Sequence, residues 1–263
     1  MIFYGALSVF ILYNVNIHYL LNQKGDEAIN IIAYLYPNRC PVCGDIIVPR
    51  QQIVCPGCVN VFQVIKDPKC LKCGKPVEWE EQEYCFDCTK TAHHYNKGIS
   101  LWIYDEKVKK SISKFKFHHR REYSRYYIRE ILHYYKQEII NQAPQVLIPV
   151  PLHKSKLKDR GFNQACVLAK GIGKGVGIPV IENYLLRCHK TKAQKRLNDR
   201  ERANNLDAAF CVNPKYNTAP YSRVMLVDDI YTTGSTIDAC SKVLLQTGVK
   251  EINFISLSIG KGF

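Results

Sequence analysis

The sequence predicts a parallel α/β domain preceded by a pair of four-cysteine zinc ribbons. Eight of the twelve cysteines fall within residues 40–88 as four C-x-x-C pairs, each starting fifteen residues after the one before. From Gln145 onward, short apolar runs alternate with helical stretches, the pattern of strand–helix units that build a parallel sheet. One of those runs ends in two acids, a hydroxyl-rich turn and a helix, and ligands of such sheets bind beyond the carboxyl ends of the strands.

The chain has 263 residues, 46% hydrophobic and 23% charged, which excludes disordered, collagen-like and multi-span membrane classes. Lys and Arg number 37 against 23 Asp and Glu, a formal charge of +14. That balance favours nucleic acid, anionic lipid or phosphorylated small molecules as partners, and charge alone does not choose among them. Residues 1–26 form an N-terminal extension, 27–95 the ribbons, and 96–263 the α/β domain with a basic helical entry segment.

Residues 1–23 contain no Asp, Glu, Lys or Arg, and Ile2 to Tyr13 is nearly continuous apolar chain. A spanning helix needs roughly 20 such residues, and Asn14, Asn16 and His18 interrupt this one. A secretory signal would need preceding positive charge and a small-residue cleavage site. The expectation is a core-packed helix or a functionless extension, a cytoplasmic location and no firm membrane partner. Apolar spacing from Asp26 to Tyr36 predicts a short amphipathic helix ending at Pro37.

The four pairs are Cys40/Cys43, Cys55/Cys58, Cys70/Cys73 and Cys85/Cys88. Two such knuckles a dozen residues apart supply four thiolates to a tetrahedral zinc, and Pro and Gly beside the knuckles suit the tight turns. A disulfide framework would need an oxidising compartment, and a redox motif is normally a single pair. Two structural Zn²⁺ are expected. Neighbouring pairs form the simplest sites, though spacing also permits first with third and second with fourth. Cys166, Cys188, Cys211 and Cys240 are expected as buried thiols.

Between the knuckles and residue 145, Lys107, Lys109, Lys110, Lys114, Lys116, Arg120, Arg121 and Arg125 face only Asp105, Glu106 and Glu122. Apolar spacing predicts one or two helices with a break near His118-His119. Such a basic segment with interleaved aromatics fits single-stranded nucleic acid; the plainer alternative is a solvated face whose tyrosines cover the neighbouring domain. Beyond it, residues 146–148 predict a strand, Gly161 to Val176 a helix, 223–227 a strand, Ser235 to Gln246 a helix and 252–258 a strand. Asp228 and Asp229 at a strand end can accept hydrogen bonds from vicinal sugar hydroxyls. Thr232, Thr233, Gly234, Ser235 and Thr236 open into a helix whose N–H groups cradle a phosphate. Together they describe a ribose 5-phosphate site.

Residues 224–236 resemble the phosphoribosyl pyrophosphate (PRPP) signature of type I phosphoribosyltransferases. With the knuckles, Phe115-Lys116-Phe117, Arg160-Gly161-Phe162-Asn163-Gln164 and the stretch Gln194 to Asn205, the chain resembles the ComF family of competence-associated proteins over roughly residues 27–260. The resemblance implies a type I phosphoribosyltransferase-like parallel sheet flanked by helices. It implies a pyrophosphate loop at Pro149-Val150-Pro151-Leu152-His153, and a mobile loop from His189 to Asn205 whose Gln194, Lys195, Arg196 and Arg202 close over PRPP. Arg160 would open a helix beside the site and serve PRPP or the acceptor. Mg²⁺ would accompany PRPP, and partners would include single-stranded DNA and DNA-uptake proteins such as a helicase. Thr232 stands where oxopurine-specific members place an Asp base, which disfavours that substrate class, and no residue is assigned as the catalytic base. The same features allow a glycosyltransferase with turnover or a zinc-ribbon DNA-binding adaptor whose PRPP site is regulatory or vestigial.

Overall fold

The computed structural model describes residues 37–49, 51–188, 209–216 and 220–260. The predicted helix over 26–36, the apolar run before it and the loop residues Gln194, Lys195, Arg196 and Arg202 lie outside these. Two compact units divide at Cys55/Pro56.

In the first unit, the Cys40 knuckle closes through Gly44 N–H to Cys40 O (2.9 Å) and Cys40 N–H to Asp45 O (2.8 Å). In the second unit the Cys70 knuckle repeats this, with Gly74 N–H to Cys70 O at 2.9 Å and Cys70 N–H to Lys75 O at 2.7 Å. Gly74 has φ +75°, and a Cβ there would lie 2.8 Å from Gly98 O, so only glycine lets this knuckle sit against the neighbouring chain. A short helix α1 (Phe86–Lys90) follows the last knuckle.

A four-stranded parallel sheet forms the centre of the second unit. Its strands are β1 (Lys97–Ile103), β2 (Val146–Pro149), β5 (Arg223–Tyr231) and β6 (Glu251–Ile259), in spatial order β1-β6-β5-β2. Val224 pairs with Val146 on one side and Ile252 on the other. β5 is continuously apolar over Val224–Val227, and β6 is buried from Ile252 to Ile259 with Asn253, Ser256 and Ser258 among its buried residues, because both faces are covered. β1 was not expected from sequence.

Helix α2 (Glu106–Phe117) begins where the Asp105 carboxylate accepts from Val108 N–H at 2.8 Å, a capping bond that satisfies one of the free first-turn donors. The predicted break at His118-His119 is present, with His119 at φ +53°, before α3 (Tyr123–Asn141). Tyr123, Tyr126, Tyr127 and Tyr135 of α3 are buried, and Trp102 of β1 stacks on Tyr126 at 5.7 Å. The tyrosines therefore cover the sheet, as in the plainer of the two readings, while Lys107, Lys110, Arg121 and Arg125 remain exposed.

The predicted helix over 161–176 begins later. Helix α4 (Lys154–Arg160) ends at Gly161, which takes the left-handed conformation at φ +76°, and α5 (Gln164–Val176) starts after Asn163, whose side chain accepts from Ala165 N–H at 3.1 Å. Arg160 thus closes one helix rather than opening the next. A two-stranded antiparallel hairpin, β3 (Leu185–Arg187) with β4 (Phe210–Val212), carries a Cys188–Cys211 disulfide. The expectation of four buried thiols is corrected accordingly: Cys240 is one, Cys166 is only half-buried, and the other two are bonded to each other because the hairpin brings their Cα atoms to 6.2 Å. Helix α6 (Ser235–Leu245) joins β5 to β6.

Candidate functional site

The knuckles assemble by neighbours. Cys40, Cys43, Cys55 and Cys58 each place a sulfur within 4.8 Å of the others, and so do Cys70, Cys73, Cys85 and Cys88. Zn–S bonds of about 2.3 Å in a tetrahedron put sulfurs about 3.8 Å apart. The Cys43–Cys55 and Cys73–Cys85 separations are 3.9 and 3.6 Å. Thiols this close resist ionising together: Cys55 is pushed up to about 12 by burial and by Cys40 and Cys43. Cys73 is raised by Cys70, Cys85 and Cys88. A divalent cation resolves that repulsion, and four protein ligands leave it no open position for catalysis.

The acid pair lies on β5, which extends four residues past the predicted strand end to include Asp228 and Asp229. Asp228 accepts from Asp229 N–H at 2.8 Å, and the Lys116 ammonium reaches Asp229 Oδ1 at 2.8 Å. Burial first, then the neighbouring Asp229 charge, raises Asp228 to about 7, against the pull of Lys116 and Arg187. Lys156 is held below the ordinary lysine value by desolvation and then by Arg187, Arg160 and Lys116. Three cations, Lys116 of α2, Lys156 of α4 and Arg187 of β3, therefore act on the two carboxylates, with Arg160 beside Lys156. That arrangement can hold a multiply charged anion beside groups that accept hydroxyl hydrogens.

After Tyr231 the chain turns through Thr232, Thr233 and Gly234 into α6. Thr232 and Thr233 are exposed, the Thr233 and Ser235 hydroxyls meet at 2.8 Å, and Gly234 has φ +81° at the helix start. The turn presents hydroxyls and first-turn amides at the positive end of an eleven-residue helix.

On the β2 side, Val150 N–H is committed to Val227 O at 2.9 Å and Val150 O accepts from Asn163 at 3.0 Å. Pro151 has no N–H, so amide donation from the expected pyrophosphate loop falls to Leu152 and His153. Arg160 donates to Gln164 Oε1 at 3.0 Å and its guanidinium lies 4.8 Å from the exposed ring of Phe117. Sequence reasoning did not single out Lys156, Arg187 or the Lys116–Asp229 pair as site features, since they meet only through tertiary packing; the Phe-Lys-Phe segment was the one available signal for Lys116.

The double zinc ribbon domain profile matches residues 31–89. Competence protein F of Haemophilus influenzae is 32% identical over 223 residues, covering 84% of this chain and 96% of that protein. The chain belongs to the ComF family. Competence protein ComFC of Bacillus subtilis is 26% identical over 74% of this chain and 79% of its own length. DNA utilization protein YhgH of Salmonella typhimurium is 24% identical over 82% and 94%. ComF membership accounts for the two ribbons, and the cysteine quartets are their structural zinc sites. Among the described residues no helix is long and apolar enough to cross a membrane.

Proposed function

We propose that this ComF-family chain binds PRPP with Mg²⁺ through a type I phosphoribosyltransferase-like site and acts with the DNA-uptake machinery in the cytoplasm. The observation that carries the reading is the acid pair on β5 leading directly into the Thr232–Thr236 turn at the start of α6, with Lys116, Lys156 and Arg187 acting on the acids. The α6 turn takes the 5-phosphate, Asp228 and Asp229 accept from the ribose hydroxyls, and Leu152 and His153 offer amides to the diphosphate. Bound Mg²⁺ would neutralise the diphosphate and stabilise it as a leaving group. The cations add preorganised positive charge where the departing pyrophosphate develops negative charge. In a turnover reaction the C1–O bond to pyrophosphate breaks as an acceptor atom bonds to C1, and the acceptor's proton passes to solvent or to the departing pyrophosphate.

The names of the relatives, competence and DNA utilization, support the DNA-uptake assignment, and single-stranded DNA and uptake proteins such as a helicase are the partners this reading proposes. Exposed Lys107, Lys110, Arg121 and Arg125 with the exposed Phe117 ring favour a second reading, a DNA-binding adaptor whose PRPP site regulates rather than reacts.

Calorimetry with PRPP and Mg²⁺ tests the site. Asp229→Asn removes a charge-assisted acceptor, a loss of about 1.5–3 kcal/mol or roughly tenfold or more in affinity. Equal binding by parent and variant rejects the site. Pyrophosphate release in a screen of bases and oligonucleotides separates turnover from the adaptor reading.

A further inference from the structure

We propose that His93-His94-Tyr95, the segment following the last zinc ligand, braces the Thr232–Thr236 turn, making these three positioning residues of the phosphate site. The inference rests on reading that turn as the phosphate cradle.

Tyr231 is the last residue of β5 and the floor of the turn. Gly234 approaches its hydroxyl so closely that a Cβ would lie 2.3 Å from the oxygen. The Tyr231 ring must therefore stay in place for the turn to keep its shape. Its ring lies flat on Phe254 at 4.8 Å, and its hydroxyl meets that of Tyr95 at 2.6 Å, both groups buried. Tyr95 in turn stands edge-on to the same Phe254 at 4.9 Å. The two tyrosines thus lock each other through one hydroxyl pair and one shared ring.

A second anchor grips the helix itself. Asp238, in the first turn of α6, accepts from the His94 backbone N–H at 2.6 Å and lies 3.1 Å from His94 Nδ1. His93 Nδ1 is 3.7 Å from the same carboxylate, and its ring, almost wholly buried, stacks on Tyr95 at 4.9 Å. Adjacent residues of one segment therefore hold both ends of the turn, Tyr231 before it and Asp238 after it.

The segment is itself anchored. Cys70, Cys73 and Cys85 share one apolar core with Tyr95, Tyr231 and Phe254. Lys72 of the same knuckle places its ammonium 5.3 Å from the Tyr95 ring, and its carbonyl accepts from Gly98 N–H at 2.8 Å. The second ribbon, the brace and the turn form one packed column, which gives the ribbon a part in shaping the site without touching its ligand.

Hydrogen exchange of the zinc-loaded, ligand-free full chain tests this. Tyr95→Phe keeps the ring and deletes the hydroxyl pair; His94→Ala deletes one side-chain contact to Asp238, and His94→Asn supplies another donor. In Tyr95→Phe and His94→Ala, amides of residues 232–238 should exchange up to roughly tenfold faster, with β2 amides unchanged and zinc content intact. His94→Asn should recover most of the protection. Ribose 5-phosphate affinity should fall in parallel, and inorganic pyrophosphate affinity should not. Unchanged exchange over 232–238 in both variants, or acceleration spread equally through β2, overturns the brace. A parent chain that fails to bind ribose 5-phosphate rejects the phosphate reading instead, and the exchange result still decides whether the brace exists.

Discussion

Asp228→Asn should stabilise the protein, with a gain that grows as pH rises from about 4 to about 7. Burial and the Asp229 charge raise Asp228 to about 7, against about 3.9 for an unfolded aspartate. Between those values the folded chain keeps a proton that the unfolded chain has released, so stability falls as pH rises through this window. About three units at roughly 1.4 kcal/mol each set a ceiling near 4 kcal/mol. Because Asp228 retains some solvent contact, about 2 kcal/mol is the expected gain. Asparagine keeps the oxygen that accepts from Asp229 N–H and loses only the ionisation. Urea unfolding followed through Trp102, which is buried on β1, should show parent and variant matching at about pH 3.5, below the unfolded aspartate value, and the variant more stable at about pH 8.5. A variant no more stable at pH 8.5, or displaced equally at both pH values, refutes the argument. A carboxylate whose charged form costs stability in the free protein is the kind of feature a ligand-binding site maintains.

Metal analysis of protein purified without chelator should find two zinc ions per chain; Cys43→Ser and Cys70→Ser should each lose one, and Cys70→Ser should also lower Tm because that thiol is in the core. Zinc near zero with disulfides among the eight knuckle cysteines contradicts the ribbon assignment. Gly234→Val should weaken PRPP binding more than Asp229→Asn, because the new side chain meets Tyr231 and the positive φ is closed to valine; parent-like affinity by calorimetry would refute this. Single-stranded DNA affinity should fall steeply with salt and should weaken on reversing Lys114, Arg120 and Arg121 to Glu, whereas salt-insensitive binding leaves these cations as a solvated face.

The zinc sites were legible because ligand spacing is a local property, and pairing by neighbours was the simpler of two permitted schemes. The β5–turn–α6 unit was legible because one continuous segment carries both its apolar run and its polar chemistry. β1 was missed: Ile99, Leu101 and Trp102 sit beside a region dominated by charge, and a strand buried on both faces shows no alternation. The boundary at Gly161 had a signal, glycine closing one helix and asparagine capping the next, which the apolar periodicity of the following helix obscured. Lys116 on Asp229 and Tyr95 on Tyr231 join residues more than a hundred positions apart, and no local pattern specifies such pairs.

The most direct measurement is a crystal structure of the protein soaked with PRPP and Mg²⁺. The account predicts the 5-phosphate on the first-turn amides and hydroxyls of Thr233–Thr236, the ribose hydroxyls on Asp228 and Asp229, and the diphosphate towards Leu152, His153 and the cations around Lys116. PRPP bound elsewhere, or absent from this turn at saturating concentration, contradicts it.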